Sequence, residues 1–179
     1  MIVNVKKTGA ILLAGIIVRY SNSGKLYGDT GNQPASDQAA AYVKNNSQRA
    51  DLKLSKLLDR AIGYLGISYI YGGATAKIGL DCSGLVMAAF KAADVEMPRT
   101  VGPQKKIGRE VKFKKICPGD LIFFYGRGFD SGRVNHVGIY LGSGDFIHSS
   151  QAAGEVVIDN FENNSYFRNK IAQIRRVIN

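Results

Sequence analysis

A chain of 179 residues, 45% hydrophobic and 9% aromatic, holds enough apolar material for one ordinary core. It is too short for two large domains and too apolar to be disordered throughout. Its formal charge of +10, from 24 Lys+Arg against 14 Asp+Glu, favours an anionic partner: nucleic acid, a membrane surface, or a matrix rich in carboxylate and phosphate. The basic residues are scattered, with no arginine-rich run and no nucleic-acid fingerprint, so nucleic acid is not expected as a partner.

Residues 1–23 read as an export signal. Lys6 and Lys7 supply the basic start, and Ala10 to Val18 form an apolar run of signal length. That run is too short to cross a hydrocarbon core of roughly 30 Å, so no stable membrane span is expected. Ser21 and Ser23 are small enough to flank a cleavage point, and a short buried strand or helix is the competing reading of the same run. Leu13-Ala14-Gly15 is followed by Ile16, where a lipid-anchored leader requires cysteine. Residues 24–50, rich in Ser, Asn, Gly, Gln and Ala, have the composition of a polar linker, with a short helix around Ala39 to Val43. The folded domain is expected over residues 51–179.

Leu54, Leu57, Leu58, Ala61, Ile62 and Leu65 recur at helical spacing, and Gly66 stops the run. A glycine-bearing loop follows, from Ile67 to Leu80. Residues 82–93 read as a second helix, apolar on nearly every face and therefore central and buried. Strands are expected at Val111–Phe113, Leu121–Phe124, Asn135–Leu141, Asp145–Ser149, Glu155–Ile158 and Ile171–Ile178, separated by Pro118-Gly119-Asp120 and Gly142-Ser143-Gly144 turns. Helices first and antiparallel strands afterwards predict an α+β fold, with helices packed on one sheet.

Cys82 stands where a loop becomes the buried helix. A thiol in the first helical turn faces unpaired N–H groups and the positive end of the helix dipole, and both favour the nucleophilic thiolate. Cys117 precedes a Pro-Gly turn and reads instead as a small buried hydrophobe. A bridge between the two would silence Cys82. The two histidines fall in the strand region: His136 opens one strand and His148 ends the next, across a tight turn. Nucleophile, base and orienting residue is the logic of covalent acyl transfer. His136 would take the thiol proton, His148 would orient its ring, and the backbone N–H of Cys82 would face the oxyanion. Zinc held by Cys82, His136 and His148 lacks a fourth ligand and any paired-cysteine spacing. Two unrelated structural histidines are the other reading.

Several segments in order resemble the NlpC-type family of bacterial cell-wall cysteine peptidases. They are Tyr69-Ile70-Tyr71-Gly72-Gly73, Asp81-Cys82-Ser83-Gly84-Leu85-Val86, Pro98-Arg99-Thr100 with Gln104, Pro118-Gly119-Asp120-Leu121, His136 to Gly142, and Phe146-Ile147-His148. The resemblance spans about Ala61 to the C-terminus. It implies a reduced papain-like fold, an exported enzyme of the periplasm or cell envelope, and hydrolysis of peptidoglycan stem peptides without a cofactor or metal. The bond implied is D-glutamyl–diamino acid or a cross-link. It also implies that Tyr69, Asp81 and Ser83 border the substrate, with Asp81 and Tyr69 recognising a free N-terminal amine. Asp81 has a second, local role as a helix N-cap, and Arg99 reads as a structural partner. Since fold does not fix substrate, a thiol acyltransferase or lipid hydrolase of related fold, or a non-catalytic wall-binding module, are the alternatives.

Overall fold

The computed structural model describes residues 9–13, 16–20, 35–126 and 132–179. Its contacts divide the chain into one unit ending at Lys44 and another covering Asn45–Asn179. In the first, β1 (Gly9–Leu13) and β2 (Ile16–Tyr20) form an antiparallel hairpin, with Leu13 opposite Ile16. These strands occupy the apolar run expected within an export leader. The rest of that leader, and residues 24–34 of the expected linker, lie outside the described residues.

Helix α1 runs from Ala35 to Ile62, beginning well before the Asp51 start that hydrophobic spacing predicts. The early turns are rich in alanine and other good helix formers, and among their described side chains Tyr42 and Val43 are 69% and 66% exposed. With no apolar face, that stretch looks like linker in sequence. Farther on, Leu57, Leu58 and Ala61 are buried. After a short pair, β3 (Ala74–Thr75) and β4 (Gly79–Leu80), comes α2 (Cys82–Ala92), and then the single turn α3 (Val101–Gln104). Leu85, Val86, Ala89 and Phe90 of α2 are fully buried, each large side chain contributing about 1.5–3 kcal/mol over exposure.

The remaining elements are β5 (Arg109–Glu110), β6 (Leu121–Tyr125), β7 (Val134–Gly142), β8 (Asp145–Ser150), β9 (Glu155–Asn160), the turn α4 (Ser165–Arg168) and β10 (Ile171–Arg176). They build one antiparallel six-stranded sheet in the order β5-β10-β6-β7-β8-β9. The strand expected at Val111–Phe113 is displaced: β5 ends at Glu110, and Phe113–Lys115 make a 3-10 turn. Val111 is still buried and still donates to the Ile174 carbonyl, but the chain must then bend into Pro118-Gly119-Asp120.

Helix α2 packs against β7 and β8, and the fold is α+β, as the order of elements implies. A second core of Ile122, Phe124, Tyr140, Phe146 and Phe161, with Phe167 and Ile171 against it, fills the sheet face that carries the histidines. Asp120 is 1% exposed and accepts both arms of Arg176, at 2.7 and 2.8 Å, plus the Cys117 N–H at 2.8 Å. The Pro-Gly-Asp turn is thus a structural clamp joining β6 to β10. Cys117 is exposed rather than buried, because the turn directs its thiol outward while its N–H serves Asp120.

Candidate active site

Three contacts fix where α2 begins. Asp81 is its N-cap, with extended backbone and a side-chain oxygen accepting the Gly84 N–H at 2.7 Å. Gly84 permits the Gly73 carbonyl to lie against the helix, where any Cβ would collide with it. The Ser149 hydroxyl of β8 donates to the Leu80 carbonyl at 2.6 Å, pinning the residue before the cap to the sheet. Cys82, half-buried, consequently abuts β7, with Sγ 3.9 Å from the Asn135 carbonyl.

The residue after Asn135 is His136. Its Nε2 lies 2.7 Å from His148 Nδ1, and His148 Nε2 lies 2.9 Å from a carboxylate oxygen of Asp159. Ile139 faces Ile147 across the β7–β8 hairpin, so the next step sets Gly138 against His148. Gly138 has to be glycine: a Cβ there would sit 2.8 Å from the Phe146 ring and 3.3 Å from His148 Cβ. That gap lets the buried His148 ring, 1% exposed and edge-on to His136, reach its partner.

The carboxylate sets the protons along this line. Asp159 can only accept, so His148 donates through Nε2–H and presents a lone pair at Nδ1. His136 then donates through Nε2–H, which leaves its Nδ1 as the base. The arrangement delivers a lone pair on the far side of the His136 ring from His148. Asp159 is a member that sequence reasoning missed. It interrupts the Val156-Val157-Ile158 run at the end of β9, but only the β8–β9 register, with His148 opposite Val157, brings it beside the imidazole.

The thiol differs from the sequence expectation of a depressed pKa. Burial and then the neighbouring Asp81 carboxylate push Cys82 up to about 11, against the backbone N–H groups of Val137, Ser83 and Cys82 itself. The helix start helps, but less than desolvation costs. Cys82 therefore rests as a thiol and needs a base at the moment of attack.

Asp81 is crowded with donors. Oδ1 accepts from Ser83 Oγ (3.0 Å), the Gly84 N–H and Arg99 Nη1 (3.0 Å). Oδ2 accepts from the Gly72 N–H (3.1 Å) and Arg99 Nη2 (2.7 Å). Burial alone would raise its pKa, but the hydrogen bonds of Arg99, Gly84 and Ser83 and the guanidinium charge hold it below the usual range. Arg99 also donates to Ser83 Oγ and the Gly73 carbonyl, and Gln104 ties Pro98 to the helix through the Ser83 carbonyl. Tyr69 sits close enough that burial, Cys82 and Asp81 all raise its phenol pKa, which keeps it a neutral hydroxyl donor. Cys82, His136, His148, Tyr69, Asp81 and Ser83, scattered over the sequence, thus converge; Asp159 and Arg99 complete the set.

A helix-start thiol, an imidazole aligned by a second imidazole and a carboxylate, and a helix packed on an antiparallel sheet define the class of papain-like thiol hydrolases. Comparison with known proteins gives the family: the chain belongs to the NlpC/P60 family, matched over residues 66–176. It is 38% identical over 135 residues to the gamma-DL-glutamyl hydrolase of Bacillus subtilis, covering 75% of this chain and 32% of that one. It is 35% identical over 150 residues to the murein DD-endopeptidase MepS/murein LD-carboxypeptidase of Escherichia coli, covering 83% of this chain and 76% of that protein. Among solved structures, the peptidoglycan hydrolase RipB of Mycobacterium tuberculosis superposes with a TM-score of 0.62 at 30% identity, over 74% of this chain and 68% of that one. The chain thus spans about a third of the Bacillus relative's length and about three quarters of MepS.

Proposed function

We propose that the protein is an exported cysteine endopeptidase of the cell envelope that hydrolyses peptide bonds in peptidoglycan stem peptides. The observation that carries the reading is the hydrogen-bonded line His136–His148–Asp159, which starts on the strand that Cys82 abuts. His136 Nδ1 takes the thiol proton as sulfur attacks the scissile carbonyl. The oxyanion is met by the Cys82 N–H at the start of α2. His136 then gives that proton to the departing nitrogen, the C–N bond breaks, and a thioester to Cys82 remains. Water, activated by the same imidazole, hydrolyses the thioester and returns the thiol. His148 and Asp159 keep the His136 ring oriented and stabilise its cation.

The bond we propose is the D-glutamyl–diamino acid linkage or a peptide cross-link; similarity to a gamma-D-glutamyl-L-lysine dipeptidyl-peptidase of Bacillus subtilis supports the first and similarity to the murein DD-endopeptidase MepS the second. Tyr69 and Ser83 would border the acyl side. The leader-like residues 1–23 support export, and among the described residues no helix is long and apolar enough to cross a membrane. Digestion of purified peptidoglycan, with mass spectrometry of the released fragments, tests the reading. Wild-type protein should release defined muropeptides, and Cys82→Ala should release none while keeping its fold. Equal release by both proteins would refute the role of Cys82 and the reading with it.

A further inference from the structure

A cavity of about 370 Å³ opens beside the catalytic histidines, and nothing in the reading above uses it. Its walls come from β6, β7, β8, the loop after β8, and the stretch from α4 into β10; α2 and the Tyr69 loop contribute nothing. Among the described lining residues are His136, His148, Tyr125, Phe167, Gln151 and Lys170. Among the described residues lining it none is acidic, and Lys170 is the one Lys or Arg.

Its position relative to the reaction follows from proton transfer. The imidazole that accepts the thiol proton must hand it to the departing nitrogen, so that nitrogen lies on the imidazole side of the sulfur. A cavity walled by both histidines and by nothing from the nucleophile helix therefore receives the departing residue, not the acyl half. Its size suits a single amino-acid residue with its substituents.

Lys170 gives it a chemical preference. The backbone of Lys170 is fixed on both sides, its carbonyl accepting from Tyr125 N–H at 2.9 Å and its N–H donating to Phe167. Its ammonium donates to the Gly126 carbonyl at 3.3 Å, the single hydrogen bond it makes to described residues, and forms no ion pair with them. An ammonium has three donors, so two remain for a ligand. The rings of Phe124, Tyr125 and Phe167 offer apolar wall for a methylene chain, while Ser150 and Gln151 supply polar groups.

Resting on the proposed peptidase reading, we infer that this cavity is the subsite for the departing residue and that Lys170 binds a free carboxylate carried by it. The substrate favoured is a stem peptide whose departing diamino acid is C-terminal, with its α-carboxylate uncapped. The reaction balance is unchanged. Lys170 takes no part in the proton transfers and contacts the departing residue alone.

The test compares two peptides, L-Ala-γ-D-Glu-L-Lys and the same tripeptide as its C-terminal amide, whose departing residue carries no carboxylate, with wild-type, Lys170→Met and Lys170→Arg proteins. Binding of each peptide to the inactive Cys82→Ala protein is measured by calorimetry, with and without Lys170→Met. In the wild type the acid should exceed the amide in kcat/KM by about tenfold or more, chiefly through KM, as expected when a charged hydrogen bond is withheld. Lys170→Met should bring that ratio close to one, Lys170→Arg should preserve most of it, and affinity in the Cys82→Ala background should fall in parallel. An unchanged acid-to-amide ratio in Lys170→Met would overturn the assignment while leaving the peptidase reading intact. Failure of the wild type to cut or bind either peptide would overturn the proposed substrate and the subsite together.

Discussion

Removing the Asp159 carboxylate should slow hydrolysis although Asp159 itself lies outside the cavity lining. Its oxygen lies 2.9 Å from His148 Nε2, and the two side chains are 36% and 2% exposed. A hydrogen bond to a charged group is worth about 1.5–3 kcal/mol. Water beside the carboxylate trims that range, so about 1.5–2 kcal/mol is expected for Asp159→Ala, a loss of roughly 10- to 30-fold in kcat/KM. Asp159→Asn keeps an acceptor for His148 and loses only the charge, so roughly three- to fivefold is expected. Both variants are assayed on a stem peptide over a range of pH, beside melting curves that report the fold. Because Asp159 acts through His148, its removal from a His148→Ala background should cost almost nothing more. Fully additive losses, or Asp159→Ala within twofold of wild type, would refute the hydrogen-bonded line as the reason for the orientation of His136.

Two more outcomes follow from the electrostatics of the nucleophile. With Cys82 pushed up to about 11, its alkylation by iodoacetamide should climb about tenfold per pH unit from neutrality toward pH 10; a plateau below about pH 8 would show a preformed thiolate instead. Arg99→Met should leave the Asp81 charge uncompensated beside the thiol, slowing Cys82 alkylation at pH 8 by a further few-fold. It should also weaken the fold above about pH 4, where Asp81, ionised and held below its usual pKa, makes its full contribution. Asp81→Asn with Arg99→Met should recover the alkylation rate, and failure to recover it would assign Arg99 a purely packing role.

Much of this was legible in the residues, for identifiable reasons. The buried helix announced itself by being apolar on all faces, and the strands by alternation between Gly- and Pro-marked turns. The tight turn at Gly142 to Gly144 forced His148 near His136 whatever the register. The missing pieces depended on distances in space that local pattern does not encode. Asp159 meets His148 only because β9 lies along the outer side of β8 in one particular register. The first turns of α1 carry no apolar stripe, so their helicity had no signature. The thiol pKa differs from expectation because a helix start is visible in sequence, whereas how far the Cys82 thiol itself is buried there is not.

Asp81 shows how structure redistributes a role that motif and position assign to one residue. A carboxylate next to a nucleophilic thiol opposes thiolate formation, and an isolated one would also invite a substrate ammonium. Here five donors converge on its two oxygens, two of them from Arg99. An ionised carboxylate offers about four lone-pair positions, so an arriving amine would have to compete with the guanidinium for its 2.7 Å contact. Asp81 is therefore better understood as the cap that fixes α2 and, with Arg99 and Ser83, the knot that holds the Gly72-Gly73 loop against it. On that account the acyl side has no open carboxylate at Asp81 with which to demand a free N-terminus, so a stem peptide still joined to its sugar is not excluded there. The strongest charge discrimination then moves across the sulfur, to the departing side, where the ammonium of Lys170 stands without a carboxylate of its own among the described residues.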